Sequence, residues 1–280
     1  MGLKKYLKRG LCYILHGVPE NKTYVTVKTT QPGKLLDGRN IIITGGSRGL
    51  GFYIAKRAIA EGANVLITGR TEETLKLAVA DLGGRARYLV FDAQNVAAIN
   101  DFLNRAERCF GGKKIDSLVS NAGISLHEGG FHNVTEEGWD LQMNTNLKGN
   151  YFLVKCFVEY LESKEDKKGN IVVITSERAK RADDIPYGLT KAATSSFIQC
   201  MAQQVIEEGV RINGVGPGVT ASDMTGFNRA GNLYVEWQPS KRIFMPEEVA
   251  EVVNFLLSDA SACISGEIIT CDQGRYISRW

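Results

Sequence analysis

From Asn40 onward, short runs of β-branched residues alternate with longer stretches of helical periodicity. This alternation predicts a parallel sheet, because parallel neighbours are joined by crossover helices rather than tight turns. The predicted strands are residues 40–44, 64–68, 86–91, 115–120, 170–175, 210–215 and 267–271. The predicted helices lie near residues 50–61, 72–82, 95–110, 135–163, 187–208 and 246–258.

Seven such strands fit one sheet in one domain. The chain has 280 residues, of which 44% are hydrophobic and 23% charged, enough for a single large core. No internal repeat or low-complexity linker interrupts residues 37–280. We therefore predict an α/β fold, a doubly wound seven-stranded parallel sheet with helices on both faces (Rossmann-type), in a single domain over residues 37–280.

Residues 1–36 do not share this pattern and are predicted to form an N-terminal arm. Four basic residues in Met1–Arg9 precede a short apolar stretch, Leu11–Leu15, but no small-residue cleavage site follows. Packing on its own or a neighbouring subunit is favoured over a basic amphipathic anchor on a membrane surface. No apolar run reaches the roughly 18 residues that span a bilayer, so no integral membrane segment is expected.

The net charge and the positions of the cysteines argue against two further classes, nucleic-acid-binding proteins and metalloproteins. The formal charge of +3 comes from 34 basic and 31 acidic residues mixed along the chain, which argues against nucleic acid as a partner. The six cysteines show no C-x-x-C pair and no metal-ligand spacing. We expect buried free thiols in the reducing cytoplasm, and no metal site.

A glycine-rich loop directly follows the first predicted strand. Gly45, Gly49 and Gly51 permit a tight turn and close backbone approach, and the next helix offers its free N–H groups to a pyrophosphate. Strand, glycine loop and helix stand in the order that a dinucleotide site requires. The loop residues predicted to bind the cofactor are Gly45, Ser47, Arg48, Gly49, Leu50 and Gly51.

The residue at the end of the second predicted strand indicates whether the dinucleotide is NAD or NADP. An acidic residue there would bind the ribose 2′-hydroxyl of NAD, whereas a basic one accommodates the 2′-phosphate of NADP. This strand ends in Arg70, and Arg48 in the glycine loop adds a second guanidinium suited to phosphate. Glu72 and Glu73 follow closely and could compete for Arg70. The expected cofactor is NADP(H).

A tyrosine and a lysine four residues apart form the second motif. Tyr187 and Lys191 begin a long predicted helix, so both side chains lie on one face, and a nearby cation stabilises a phenolate. Such a pair is commonplace alone. Ser176, eleven residues earlier, follows a buried strand at the carboxyl end, where ligands of such sheets bind.

With the glycine loop, Thr44–Gly51, these residues resemble the short-chain dehydrogenase/reductase family over essentially all of residues 37–280, in a pattern similar to 3-oxoacyl-carrier-protein reductases. Further matching motifs are Asn121-Ala122-Gly123, Asn146 within 143–149, and the segments 211–218 and 265–274. The resemblance implies a catalytic set of Asn146, Ser176, Tyr187 and Lys191. In it, Tyr187 transfers the proton, Ser176 holds the substrate oxygen, Lys191 contacts the nicotinamide ribose and lowers the pKa of Tyr187, and Asn146 links Lys191 to water.

The same resemblance implies further cofactor contacts: Asp92 at the adenine, the 121–123 motif, Tyr187 and Lys191, and Pro217, Gly218, Thr220 and Ser222 at the nicotinamide end. By position, residues 221–242 resemble a mobile substrate loop. One departure is the interval from Ser176 to Tyr187, somewhat shorter than in many members, in which six of ten residues are charged. This makes a steroid-like pocket less expected, although many of these charges can face water.

The predicted activity is interconversion of a carbonyl and a secondary alcohol, on either a polar keto or hydroxy compound or a 3-oxoacyl thioester. Against the thioester, Glu207 and Glu208 place acidic charge where docking of an acidic carrier favours basic residues, though Lys164, Lys167 and Lys168 could compensate. The alternative function is a catalytically silent nucleotide-binding or scaffold protein on this fold. Long helices at 135–163 and 187–208, together with the resemblance, predict a homodimer or homotetramer.

Overall fold

The structure is a computed structural model that describes residues 33–276. Most of the predicted N-terminal arm, residues 1–32, lies outside the described residues, as do residues 277–280. Within the described part of the chain, no helix is long and apolar enough to cross a membrane.

Seven parallel strands form one sheet, as predicted. They are β1 (Asn40–Thr44), β2 (Asn64–Gly69), β3 (Ala86–Val90), β4 (Ser117–Ser120), β5 (Gly169–Ile174), β6 (Val210–Pro217) and β7 (Ile268–Cys271). Their order across the sheet is β3-β2-β1-β4-β5-β6-β7, so β1 and β4 are neighbours at the centre. The order reverses there, which is where ligands of doubly wound sheets bind.

The described residues contain seven α-helices, six of which cover the two faces of the sheet. They are α1 (Gly49–Ala60), α2 (Glu72–Leu82), α3 (Ile99–Cys109), α4 (Glu136–Gln142), α5 (Asn150–Glu162), α6 (Pro186–Val205) and α7 (Pro246–Leu257). Helices α1, α2 and α7 share one apolar core, and α3, α5 and α6 share the other. The predicted doubly wound α/β architecture is confirmed.

Strand β1 shows why the central strands read as continuous apolar runs. Ile42 faces one core while Ile41 and Ile43 face the other, and all three are fully buried. Alternate side chains point to opposite faces, and both faces are covered by helices, so each position must be apolar.

The helix predicted over residues 135–163 is not one regular helix. Between α4 and α5, Met143–Gly149 forms a π-helical segment, whose wider turn leaves no signature in hydrophobic periodicity. Short 3₁₀ turns at Phe131–Asn133 and Glu177–Lys180 were also unpredicted. The expectation of buried cysteines is wrong for Cys200 and Cys263, which are exposed, although all five described cysteines are free.

Candidate active site

The predicted site residues follow the carboxyl ends of the central strands. The glycine loop follows β1, the 121–123 motif follows β4, Ser176 follows β5, and Pro217 ends β6. After β1 the chain passes to α1 on one face, and after β4 it reaches α5 on the other. A cleft opens between such diverging connections.

The structure brings Tyr187 and Lys191 to the end of β5. Pro186 opens α6, so Tyr187 lies in its first turn and Lys191 one turn later. The buried ammonium of Lys191 donates a hydrogen bond to the carbonyl of Ile174 (2.9 Å) and lies 5.6 Å from the centre of the Tyr187 ring. Phenol and ammonium therefore face the same strand end.

Burial shapes the ionisation of both groups. It lowers the pKa of Lys191 to about 8. It raises the pKa of Tyr187, while the neighbouring Ser176 side chain and the charge of Arg178 act to lower it. The sequence pointed to Lys191 as the cation acting on Tyr187, whereas in the structure the cation that acts to lower the pKa of Tyr187 is Arg178.

Asn146 lies within the π-helical segment and is fully buried. Its side-chain amide donates to the carbonyl of Ile124 (2.8 Å), and its Oδ1 accepts from the Ile124 amide (2.8 Å). A Cβ placed on Gly123 would lie 3.3 Å from Asn146 Oδ1 and 3.6 Å from Lys191 Nζ. The absence of a side chain at Gly123 thus lets Asn146 and Lys191 approach the same point.

The glycine loop has the backbone geometry that the sequence predicts. Gly45 and Gly49 have φ of +64° and +54°, a conformation that residues with side chains rarely adopt. A Cβ on Gly51 would lie 2.3 Å from the carbonyl oxygen of Gly45, so that contact admits glycine alone. Helix α1 then begins at Gly49, and its first amides face the loop. Ser47 and Leu50 are half-buried in the same turn.

Two arginines flank the predicted adenosine end of the site. Arg70 follows β2 and is exposed; Glu72, a possible competitor, instead accepts from Tyr88 Oη (3.0 Å) and pairs with Lys76 (3.0 Å). Arg48 is 77% exposed and lies 3.5 Å from the Asp223 carboxylate. Both guanidinium groups are accessible to an anionic ligand.

The 121–123 motif braces the glycine loop. The backbone amides of Asn121 and Ala122 donate to Thr44 Oγ1 (2.9 and 3.0 Å), and Asn121 Nδ2 donates to the carbonyl of Thr44 (2.8 Å). Thr44, the first residue of the glycine-loop motif, to which the sequence analysis gave no role, thereby joins the ends of β1 and β4. Asp92 lies exposed just after β3, where its Oδ1 accepts from the Gln94 amide (3.0 Å).

The chain after β6 returns toward the glycine loop. Gly218 N donates to Cys271 O (2.9 Å), and Thr220 Oγ1 donates to Gly218 O (2.9 Å). Ser222 follows, and its Cβ lies 3.7 Å from where a Cβ on Gly49 would stand. Pro217, Gly218, Thr220 and Ser222 therefore form one wall that closes on the loop.

Half of the charged residues between Ser176 and Tyr187 are exposed, and the other half are buried or half-buried. The bidentate partner of Arg178 is Asp183, whose side chain is 2% exposed. Asp184 Oδ2 accepts from the backbone amide of Phe131 (3.0 Å). Of the six charged residues, Lys180, Arg181 and Asp184 are exposed, as expected for charges that face water. The pair Arg178–Asp183 and the buried Glu177 depart from that expectation.

The chain near the carboxyl terminus contributes a link that sequence reasoning missed. Glu177, next to Ser176, is buried and pairs with Arg275 (2.8 Å). The Arg275 guanidinium in turn lies 4.4 Å from the centre of the Trp237 ring in the 221–242 loop. Burial raises the pKa of the Glu177 carboxyl, and the charge of Arg275 opposes that rise. No local motif marks a pairing between residues 98 apart.

Comparison with known proteins agrees with this geometry. A family model described as enoyl-(acyl carrier protein) reductase matches residues 45–275. Gluconate 5-dehydrogenase of Gluconobacter oxydans is 32% identical over 251 residues, covering 87% of this chain and 96% of that protein. The 3-oxoacyl-[acyl-carrier-protein] reductase of Chlamydia trachomatis is 32% identical over 247 residues, covering 86% and 98%.

Solved structures give the same result. The 3-ketoacyl-(acyl-carrier-protein) reductase from Brucella melitensis, complexed with NADH, has a TM-score of 0.79 at 25% identity and covers 86% of this chain and 100% of its own. A short-chain dehydrogenase/reductase family protein has a TM-score of 0.76 at 32% identity and covers 87% and 100%. The chain belongs to the short-chain dehydrogenase/reductase family of oxidoreductases, as its motifs indicated.

Proposed function

We propose that this oxidoreductase interconverts a carbonyl and a secondary alcohol with NADP(H). The observation that carries the proposal is the convergence of Ser176, Tyr187 and Lys191 at the carboxyl end of β5, with Asn146 reaching the same point through Gly123. A hydroxyl that can exchange a proton, a second hydroxyl beside it and a buried ammonium suit proton transfer to or from a substrate oxygen.

The residues present fit a nicotinamide dinucleotide. The bare backbone of the glycine loop, with Gly51 packed on Gly45, leaves the start of α1 open to a pyrophosphate. When bound, the nicotinamide would supply hydride to the carbonyl carbon or take it from the alcohol. In the reductive direction, Tyr187 gives its hydroxyl proton to the substrate oxygen, which Ser176 holds. Lys191 binds the ribose and stabilises the tyrosinate, and Asn146 connects Lys191 to solvent.

Preference for NADP(H) is supported by Arg70 and Arg48. Both are exposed near the end of β2 and the glycine loop, and no carboxylate ends β2. Guanidinium groups pair well with a 2′-phosphate. The Brucella relative was crystallised with NADH, so comparison of the two cofactors is part of the test. The remaining proposed cofactor contacts are Asp92, Asn121, Ala122, Gly123, Pro217, Gly218, Thr220 and Ser222.

Two substrate classes fit. Gluconate 5-dehydrogenase, by its name, acts on a polar hydroxy acid, and the carrier-protein reductases act on 3-oxoacyl groups. The acidic pair that argued against a carrier is partly neutralised, because Lys167 lies 2.6 Å from Glu208. Lys164 instead pairs with Glu107 (2.7 Å), so it offers less compensation than the sequence suggested.

We also propose a homodimer or homotetramer in the cytoplasm. Tyr151 on α5 is exposed and lies edge-on to Phe197 of α6 (5.5 Å between ring centres), beside Met143 and Leu147 in an open apolar groove. Apolar surface of this kind on two long helices suits a second copy of the chain. Light scattering of the protein and of Tyr151→Glu tests this: the substitution is expected to yield smaller species.

The catalytic proposal is tested by following oxidation of NADPH and NADH with a panel of ketones, keto-sugars and acetoacetyl thioesters. Tyr187→Phe is expected to lower kcat by about 10²–10⁴-fold while NADPH binding persists, because only the proton donor is lost. If Tyr187→Phe keeps full activity, the mechanism is wrong. If no member of the panel reacts but NADPH binds, the silent scaffold on the same fold becomes the better description.

A further inference from the structure

An ion pair with a buried carboxylate spans the loop between the two proposed catalytic hydroxyls. Arg178 Nε and Nη2 each lie 2.5 Å from an oxygen of Asp183, and the Asp183 side chain is 2% exposed. A bidentate pair holds its partners in one relative orientation, unlike a single contact. The two residues therefore fix the path of this loop.

Helix α6 leaves room for that carboxylate. A Cβ on Gly188 would lie 2.1 Å from Asp183 Cγ, so the carboxyl carbon occupies the space that any side chain at residue 188 would take. Gly188 is next to Tyr187 in the first turn of the helix. The buried charge of Asp183 thus lies directly against the turn that carries the phenol.

The other end of the pair reaches Ser176. The backbone amide of Arg178 donates to Ser176 Oγ (3.2 Å), and Asp183 Oδ1 accepts from the amide of Ile185 (3.4 Å), two residues before Tyr187. Both ends of the loop are therefore joined through the same pair: one at the serine hydroxyl and one at the entry to the tyrosine's helix.

We propose that Arg178 and Asp183 are positioning residues, which set the separation of the Ser176 and Tyr187 hydroxyls and the electrostatic field at the phenol. Gly188 is the third member of this unit, because its missing side chain admits the carboxylate. The proposal rests on the proposed function for its effect on turnover, but its effect on the ionisation of Tyr187 is measurable without a substrate.

The charges around Tyr187 give the two partners opposite effects. The groups facing it are Ser176, Glu177, Arg178, Asp183 and Lys191. Arg178 acts to lower the pKa of Tyr187, whereas Asp183 and Glu177 act to raise it. A cation stabilises the phenolate and an anion destabilises it, so removing each partner shifts the titration in its own direction.

The test is the alkaline titration of Tyr187 in the full chain, with and without NADP⁺. Tyrosinate absorbance is recorded for each variant and for the same variant carrying Tyr187→Phe, and the difference isolates this one tyrosine. Arg178→Gln is expected to raise the midpoint by about one pH unit, and Asp183→Asn to lower it by a similar amount. The double variant should return close to the parent value.

Arg178→Lys keeps the charge but not the bidentate geometry. It should leave the midpoint near the parent value while kcat with an active member of the substrate panel falls and KM changes little. Arg39→Gln, which breaks an exposed ion pair with Asp259 (2.7 Å), is the matched control and should alter neither quantity.

The proposal is overturned if both single variants fold but shift the midpoint in the same direction, or if both fold and neither shifts it; a common shift that accompanies loss of folding does not count. Thermal unfolding of each variant separates the two cases. If Arg178→Gln does not fold, Asp183→Asn still tests the proposal, because it is expected to lower the titration midpoint of Tyr187. Failure of the carbonyl activity would leave the opposite titration shifts intact, so the two proposals fail separately.

Discussion

The cofactor half and the catalytic half of this site are held together by different means. In the cofactor half, β1 and the glycine loop are fixed by backbone geometry: positive φ at Gly45 and contact of Gly51 with a carbonyl. In the catalytic half, ion pairs with buried carboxylates hold the loops: Arg178 with Asp183 inside one loop, and Glu177 with Arg275 between segments far apart in sequence. An added side-chain atom should therefore destabilise the cofactor half, whereas loss of one partner of an ion pair should destabilise the catalytic half.

The largest effect on stability is expected from removing one partner of an ion pair in the catalytic half. Arg275→Gln leaves the buried Glu177 carboxylate without its cation, and the free energy of unfolding should fall by about 3 kcal/mol. The pKa of Glu177 in the folded state lies above its ordinary value. Stability therefore falls as the pH rises from the ordinary pKa to the raised one. Chemical denaturation from mildly acidic to neutral pH should show the loss growing with pH.

Adding Glu177→Gln to that variant should recover part of the stability and flatten its pH dependence, because no buried charge then remains. A loss that is the same at every pH, with no recovery in the double variant, would assign Arg275 a role in packing alone.

Adding atoms to the cofactor half should have the next largest effect. Gly51→Ala places a methyl group 2.3 Å from a backbone oxygen, which cannot move aside as a side chain can. We expect a loss of about 2 kcal/mol in stability and clearly weaker NADPH binding. Gly84→Ala is the control, since a Cβ there meets nothing within 4 Å. Equal behaviour of the two variants, by denaturation and by NADPH fluorescence, would contradict the steric account.

Removing a positive charge at the edge of the cofactor half should have a smaller effect than adding atoms to that half. Arg70→Ala is expected to lower the preference for NADPH over NADH by about tenfold, the effect of losing one charge-assisted hydrogen bond. Fluorescence titration with both cofactors measures the ratio, and NADH affinity serves as the internal control. An NADH preference in the parent protein that survives the substitution would refute the choice of cofactor.

The smallest effect is expected between the halves, where Asp223 lies 3.5 Å from Arg48. Both side chains are well exposed, so the pair is weak and screened. Asp223→Ala should free Arg48 and tighten NADPH binding about twofold at low salt. The gain should vanish at high salt; a gain that persists there would indicate a steric rather than an electrostatic origin.

Most of the fold could be predicted because its signals are local. Strands such as β1 have an apolar centre, and the glycine loop stands between a strand and a helix, so the type and order of these elements follow from short stretches of sequence. The sequence did not predict changes of backbone conformation within a stretch whose hydrophobic pattern is continuous. The π-helical segment keeps the apolar spacing of its neighbours approximately, and periodicity cannot distinguish its wider turn.

The site was predictable to a lesser degree, for a physical reason. The sequence pattern predicted that Ser176 follows a strand end and that Tyr187 opens a helix, and the family resemblance implied their roles. It could not show which charged side chains would pair, because Arg178 had several acidic residues within reach and only packing against Gly188 selects Asp183. Likewise, the motif placed Thr44 in the glycine loop but could not show that its hydroxyl accepts from the amides of Asn121 and Ala122 after the neighbouring strand.

The π-helical segment makes Asn146 sensitive to chain length rather than to side-chain chemistry. A turn of this kind holds one residue more than an α-helical turn, so it behaves as an insertion. Deleting a single residue between Met143 and Thr145 would restore regular spacing and rotate one side of the junction by about 100°. Asn146 would then turn away from Ile124 although every residue of the proposed catalytic set remained in the sequence.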